Sequence, residues 1–420
     1  MENKDSTSTI NIDEWARELE NKSSYEAQRH VRYQNSTIFK VSKNLRSVQP
    51  EAYEPMIVSL GPYHCHKPHL QDTNQLKRLL INKLLEKGYE KSLRNYLTLV
   101  KEEETKARNT YSEQPIDMCE KEFIEMMLLD CVFVIMILWF WKMDESGLKE
   151  IEIPSFVNRQ GSWTIVARDM LLLENQLPFF LLEALFDSAF PNMRGSLKEW
   201  VVQFFSGFVN DKVPEVPKDT KTIHHILHLF YLCIVPSDRS SNIVFARPTV
   251  LHDPRMGRAQ TATQLEATGI ELKRKQKAMS FLDITFNEGV LEIPQIRIDD
   301  DTDILFRNLI ALEQCQKSTN CYDISTYAWV LSCITCTVND VDRLQQKEII
   351  INGFSNTNET SPIHVDARLE TMLNQAQEYD RNDQHQATNA NIQFVDYWLK
   401  PSYKCHWAIH LSIARTLRGD

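Results

Sequence analysis

Three histidines and one cysteine, His64, Cys65, His66 and His69, fall within six positions of the stretch SLGPYHCHKPHL, residues 59–70. Imidazole and thiol groups this close suggest zinc chemistry, but a zinc site needs about four convergent nitrogen or sulfur ligands in paired spacing. All four residues sit on one short loop broken by Gly61-Pro62, and no complementary Cys/His pair stands at a suitable distance. The stretch is read as a turn made by Gly61 and Pro62, with Tyr63 and His64 packed or hydrogen-bonded into the fold.

Cys315, Cys321, Cys333 and Cys336 offer a better metal spacing, C-x5-C-x11-C-x2-C. Cys333 and Cys336 lie in the apolar run YAWVLSCITC, however, where thiols at i and i+3 face one packed side of a helix. His224 and His228 stand at i and i+4, half of a helical zinc site, but His225 lies between them and no glutamate completes the H-E-x-x-H pattern. Glu174 and Glu183 read as caps or ion-pair partners rather than an acid/base couple. There is no glycine-rich phosphate loop, no G-x-S-x-G elbow and no kinase-like set. No catalytic residue, metal ligand or cofactor is assigned; a Cys/His metal-dependent protein or enzyme using 64–69 or 315–336 is the alternative reading.

The elements that would carry these groups are mostly helical. LQDTNQLKRLLINKLLEKG places Leu76, Leu79, Leu80 and Leu84 on one predicted face, with Gly88 as a stop. YEKSLRNYLTLVKEEETKARNTY follows as a charged helix, and DMCEKEFIEMMLLDCVFVIMILWFWK as an apolar one with Asp117 as its cap. Its core, residues 126–141, holds Asp130 and falls short of the roughly 20 apolar residues of a membrane span, so a buried core helix is expected. In RDMLLLENQLPFFLLEALF, Pro178 predicts a helix from about Asp169 ending near Gln176 and a second beginning at the proline. SLKEWVVQFFSGF, TIHHILHLFYLCIV, TATQLEATGIELKRKQ, DDTDILFRNLIALEQC, DISTYAWVLSCITC and DVDRLQQKEII read as further helices. One hairpin is expected over 280–298, SFLDITF and VLEIPQIRI around NEG, with Gly289 in the turn. Residues 236–262 have the composition of an exposed loop, and the polar segment 352–392 holds at least one helix, HVDARLETMLNQAQEY. The fold class is mainly α: a single large helical domain with a small β-hairpin.

With 42% apolar and 10% aromatic residues the chain can fill a large core, and 57 acidic against 47 basic residues give a net charge of -10. Nucleic acid is an unfavourable partner for such a surface. Nine scattered cysteines fit a reducing compartment, and the polar N-terminus carries no signal peptide.

Three blocks, in order, resemble the plant family called domain of unknown function 247. The first, IFKVSKNLRSVQPEAYEPMIVSLGPYH, carries Tyr53, Pro55, Ser59, Gly61, Pro62, Tyr63 and His64, followed by Lys67 and Pro68. The second, RDMLLLENQLPFFLLEALF, carries Asp169, Glu174, Asn175, Gln176, Pro178 and Phe179; the third carries Phe281, Gly289, Pro294, Arg307, Asn308 and Glu313. As motif residues these read as fold signatures: Pro178 a helix break, Gly289 a turn, Asn308 and Glu313 polar groups that a buried helix must satisfy internally.

The resemblance implies a protein partner and membrane association, and some grass members are implicated as pollen-side determinants of self-incompatibility. Members typically end in an apolar spanning helix. Here SYKCHWAIHLSIARTLRGD has His406 in place of a proline, and His410, Arg415 and Arg418 interrupt the apolar run. The expected organisation is a mobile tail over 1–30 with at most a short helix, a helical domain over 31–400, and a degenerate or truncated anchor over 401–420. Localisation is expected to be membrane-associated from the resemblance, or cytoplasmic with the anchor absent as the sequence indicates. A non-enzymatic recognition protein is the leading expectation, and a truncated inactive paralogue a further alternative.

Overall fold

Between Glu120 and Glu145 the chain is apolar on nearly every face, and this 26-residue helix becomes the axis of the core. It is long and apolar enough to cross a membrane by composition, with mean hydropathy 2.3, yet almost all of that run is buried against other helices. Helices Asp72–Lys87, Leu93–Glu102, Phe179–Ala189 and Leu197–Phe204 pack on it. The computed structural model describes residues 11–87, 91–113, 116–145, 162–208, 222–235, 261–278, 280–315 and 323–353.

A second helix, Asp300–Cys315, gathers Ser162–Met170, Ile226–Ile234, Asp323–Ile334 and the short turn Pro50–Tyr53 around it. Apolar side chains from Ile38 to Ile350 join in one continuous core. The protein is mainly α, with a small β element.

That β element is larger than the expected hairpin. Strands β1 (Glu271–Lys275), β2 (Thr285–Asn287) and β3 (Val290–Pro294) form a sheet of order β1-β3-β2, with β1 parallel and β2 antiparallel to β3. The turn between β2 and β3 is two residues, Glu288 and Gly289, both at positive φ. Strand β4 (Ile296–Ile298) pairs in parallel with β5 (Ile350–Asn352).

Several predicted boundaries move. The segment TATQLEATGIELKRKQ is not one helix: Ala262–Ala267 ends at Gly269, whose φ of 88° turns the chain into β1. DVDRLQQKEII likewise divides into helix Val338–Gln346 and β5, through Glu348 at positive φ. The charged helix after Gly88 is two, Leu93–Glu102 and Glu104–Asn109. Helix Glu120–Glu145 begins three residues after Asp117; the backbone N–H of Cys119 instead donates to the Glu122 carboxylate at 3.0 Å. On Asp72–Lys87 the buried stripe is Thr73, Lys77, Leu80 and Leu84, which leaves Leu79 60% exposed. The predicted short N-terminal helix is a 24-residue helix, Ile12–Asn35. Residues 236–260, 354–392 and 401–420, and with them most of the exposed loop, the polar segment and the anchor region, lie outside the described residues.

The largest correction concerns the second motif block. The helix ends at Met170 instead of starting at Asp169, residues 171–178 are non-helical, and the next helix begins at Phe179 after Pro178. The proline break is where the sequence indicated. The helix before it is displaced because Asp169, Asn175 and Gln176 use their side chains on backbone groups of neighbouring segments.

Candidate functional site

Residues 54–61 form an irregular stretch outside any strand, bending at Glu54, Met56, Ile57 and Gly61 and passing from an exposed Met56 into the interior at Val58–Gly61. A buried donor left without an acceptor costs about 1–3 kcal/mol, so each must be met by something. Side chains do it. The N–H groups of Met56, Ile57 and Val58 donate to the Asp169 carboxylate at 2.9, 2.7 and 3.0 Å. The Leu60 N–H donates to Asn175 Oδ1 at 2.6 Å, and the Gly61 N–H to Asp130 Oδ2 at 2.8 Å. In return the Asn175 amide donates to the carbonyls of Val58 and Asp169, each at 2.9 Å.

Gly61 is where this strip turns. Its φ is 74°, and a Cβ there would stand 2.7 Å from Tyr111 Oη and 2.8 Å from the Gln176 carbonyl. Both the conformation and the space demand glycine. Pro62 follows, its carbonyl accepting from the Cys65 thiol at 3.1 Å, and the Tyr63 hydroxyl reaches the Ile38 carbonyl at 3.2 Å. Burial pushes the Tyr63 phenol up to about 12.

Gln176 locks the other block. Its amide donates to the carbonyls of Met170 and Leu172 at 2.8 and 2.7 Å, its Oε1 accepts the Leu227 N–H at 3.1 Å, and its own carbonyl accepts from the Tyr111 hydroxyl at 3.0 Å. Asn308 bridges the blocks: Oδ1 accepts the Leu173 N–H at 2.8 Å, while Nδ2 donates to the Ala52 carbonyl at 2.9 Å. The structure thus brings Gly61, Pro62, Tyr63, His64, Glu174, Asn175, Gln176, Pro178 and Asn308 into one buried polar seam.

Gly289 and Glu313 serve other places. Gly289 makes the β2–β3 turn. Glu313 sits at the start of helix Asp323–Ile334, accepting the N–H groups of Ile324 and Ser325 at 2.8 Å each, the Ser325 hydroxyl at 2.6 Å and the Tyr231 hydroxyl at 3.2 Å. Burial raises its pKa to about 7 against the pull of those hydrogen bonds.

Charge collects at one edge of the seam. Glu174 accepts the Val41 N–H at 2.7 Å and pairs with Arg46 at 2.6 Å; Arg46 also pairs with Glu54 at 2.5 Å, and Lys67 joins Glu54. His64 lies between the two acids, Nδ1 3.6 Å from Glu54 and Nε2 3.6 Å from Glu174. It is 2% exposed, and neither ring nitrogen has a hydrogen-bond partner. Burial holds its pKa down to about 4, helped by Arg46, Lys40 and His69.

This cluster has two cations for two carboxylates, and the ring nitrogens of His64 face opposite acids, so the arrangement does not converge on a ligand. Among the described residues no group of three His, Cys, Asp or Glu side chains is placed to hold a metal ion. His69 Nε2 lies 3.2 Å from the Pro55 carbonyl. Cys333 is half-buried on helix Asp323–Ile334 and Cys336 is exposed just past its end, and Cys321 lies outside the described residues. His224 and His228 stack face to face with centroids 4.5 Å apart, so their in-plane lone pairs do not meet on a common point.

Four participants went unassigned at the sequence level: Asp130, Lys77, Arg46 and Arg168. Asp130 receives the Lys77 ammonium at 2.6 Å inside the core, and Lys77 also donates to the Ser59 carbonyl at 2.6 Å. Burial raises the Asp130 pKa while Lys77 pulls it back. A lone acid in an otherwise apolar run was the available signal, because a buried carboxylate must find donors. Arg168 braces Asp169 at 2.8 Å and the Glu51 and Glu54 carbonyls at 3.2 and 3.3 Å.

Comparison with known proteins places these blocks in context. No solved structure matches. The chain is 28% identical over 343 residues to UPF0481 protein At3g47200 of Arabidopsis thaliana, covering 77% of this chain and 70% of that protein. It is 27% identical over 209 residues to putative UPF0481 protein At3g02645 of the same plant, covering 48% of this chain and 38% of the relative. The model of the family described as plant protein of unknown function, domain of unknown function 247, matches residues 38–405 and so takes in every block of the seam; the chain belongs to that family.

Proposed function

We propose that the protein works without catalysis, as an interaction protein whose core presents surfaces to a partner protein. One observation carries this reading: the polar side chains that look most like chemistry hold the protein's own backbone. Asp169, Asn175, Gln176, Asn308 and Glu313 each accept or donate buried hydrogen bonds to main-chain groups, which leaves them fully engaged in positioning segments. His64, without a hydrogen-bond partner, is sealed from solvent and held neutral. A catalytic group must be within reach of a substrate, and these are not.

The surfaces for partner recognition are then the loop near 236–262 and the polar segment 352–392, since connecting segments vary where packed helices cannot. The family resemblance supports the finer reading of recognition in pollen–stigma self-incompatibility or signalling at a membrane. The test is native mass spectrometry of the tagged full-length chain purified from plant cells, alongside a version whose 236–262 segment is replaced by a Gly/Ser linker. A stoichiometric protein partner lost on replacement is the expected result. A stoichiometric metal or small-molecule adduct with no protein partner would overturn the reading.

A further inference from the structure

Helix Ile12–Asn35 is exposed along its first turns, residues 11–27, and at its far end Tyr33 packs on Phe39. Its first turns carry Ile12, Trp15 and Leu19 at i, i+3 and i+7, one stripe, 64%, 53% and 51% exposed. An apolar stripe of this spacing is the anchor pattern of a helix that lies in a groove.

The same molecule has such a groove. Between helices Asp72–Lys87, Leu93–Glu102 and Glu120–Glu145 lies an open cleft of about 630 Å³, floored by Ile81, Leu93, Leu97, Ile124 and Leu128. Leu93 and Leu97 are 39% and 37% exposed, high for leucines over a core. Charge favours the match. Residues 12–22 carry four acids, Asp13, Glu14, Glu18 and Glu20, against Arg17 and Lys22. On the rim, Arg78 is paired with Glu125 at 3.6 Å, which leaves Lys101 and Lys121 opposite the single acid Glu120.

We infer that the groove receives the N-terminal helix of a second copy of this chain, with Trp15 as the central anchor. Each copy has one helix and one groove, so two contacts close a twofold dimer. The helix is about 36 Å long, at about 1.5 Å per residue, and with residues 11–27 exposed it does not fill the groove of its own chain. This self-association stands apart from recognition of another protein: its failure leaves that reading untouched.

The test is sedimentation equilibrium of the full-length protein over a concentration series. The wild type is expected to dimerise, and Trp15→Glu and Leu97→Glu each to weaken the dimer by about tenfold or more, as loss of a central apolar anchor does. Both sites are exposed, so unchanged thermal melting separates lost association from lost folding; Lys101→Glu, on the rim, is the second groove variant. The two single variants mixed together regain a 1:1 complex, because one still has a helix and the other a groove, whereas the double variant does not. A wild type monomeric to about 100 µM, well above a useful dissociation constant, overturns the inference. So does a dimer sensitive to Trp15→Glu but indifferent to both groove variants, or a mixture that fails to recover.

Discussion

Residues 56–61 and strand β3 must both place their backbone donors, but they do so by opposite means. In β3 the ladder runs backbone to backbone, to β1 on one side and β2 on the other. In 56–61 it runs backbone to side chain, onto Asp169, Asn175 and Asp130. A backbone ladder is indifferent to which residues it joins. A side-chain ladder makes the placement of a whole segment depend on a few atoms, and this dependence predicts a different response to substitution.

The sharpest break is Asp169→Ala. It removes the shared acceptor of three N–H groups, of which that of Val58 is buried, and one contact of Arg168, which keeps the Glu51 and Glu54 carbonyls; destabilisation of about 3–5 kcal/mol is expected in urea unfolding. Asp169→Asn, which keeps the shape and one acceptor oxygen, should fall well short of that. Gly61→Ala comes next, at about 3–4 kcal/mol, because it combines positive φ with a collision against Tyr111 and Gln176. Melting temperature reads this out directly; a shift no larger than that of an ordinary surface change would show that the turn relaxes freely.

Acid acts on the same seam through His64. Its folded pKa of about 4 lies below the ordinary 6.5, so the unfolded chain binds the proton more readily. The stabilising contribution is complete above pH 6.5 and is lost as pH falls to 4, about 3 kcal/mol in all. His64→Gln should flatten the urea midpoint between pH 7 and 4 relative to wild type. Burial also depresses the pKa of His225 and His228, so the variant's difference from wild type isolates the His64 share. The smallest effect belongs to the sheet: Glu292→Ala, in the middle of β3, should change stability by less than about 0.5 kcal/mol. A larger loss there would mean that the sheet, too, relies on its side chains.

The contrast also explains what the amino-acid sequence disclosed. Helix Glu120–Glu145, the Gly61 turn and the Gly289 turn were legible because each is signalled within a few residues, by an apolar run or a glycine. Strand β1 was not. Its sequence ELKRK is polar, and its parallel partner β3 has no connecting turn to announce it. The run VLEIPQIRI contains β4, but its parallel pairing with β5, more than fifty residues away, has no such local signal either. The helix boundary at Met170 was misplaced because local periodicity cannot register that Asp169 is claimed by residues 56–58. Lys77 in the core stripe was missed for a like reason: only its pairing with Asp130 makes that position tolerable. The motif residues themselves were found in the right blocks, but only the fold shows that they converge on main chain.

Because the seam joins distant parts of the chain, it also sets an order of events during synthesis. The donors of Met56, Ile57 and Val58 wait for Asp169, 113, 112 and 111 residues later, and the Ala52 carbonyl waits for Asn308, 256 residues later. At about 5–20 residues per second, the first delay is on the order of 10 s and the second about twice that or more. Through that interval the donors of residues 56–58 lack their native acceptor, which arrives only when the middle of the chain leaves the ribosome.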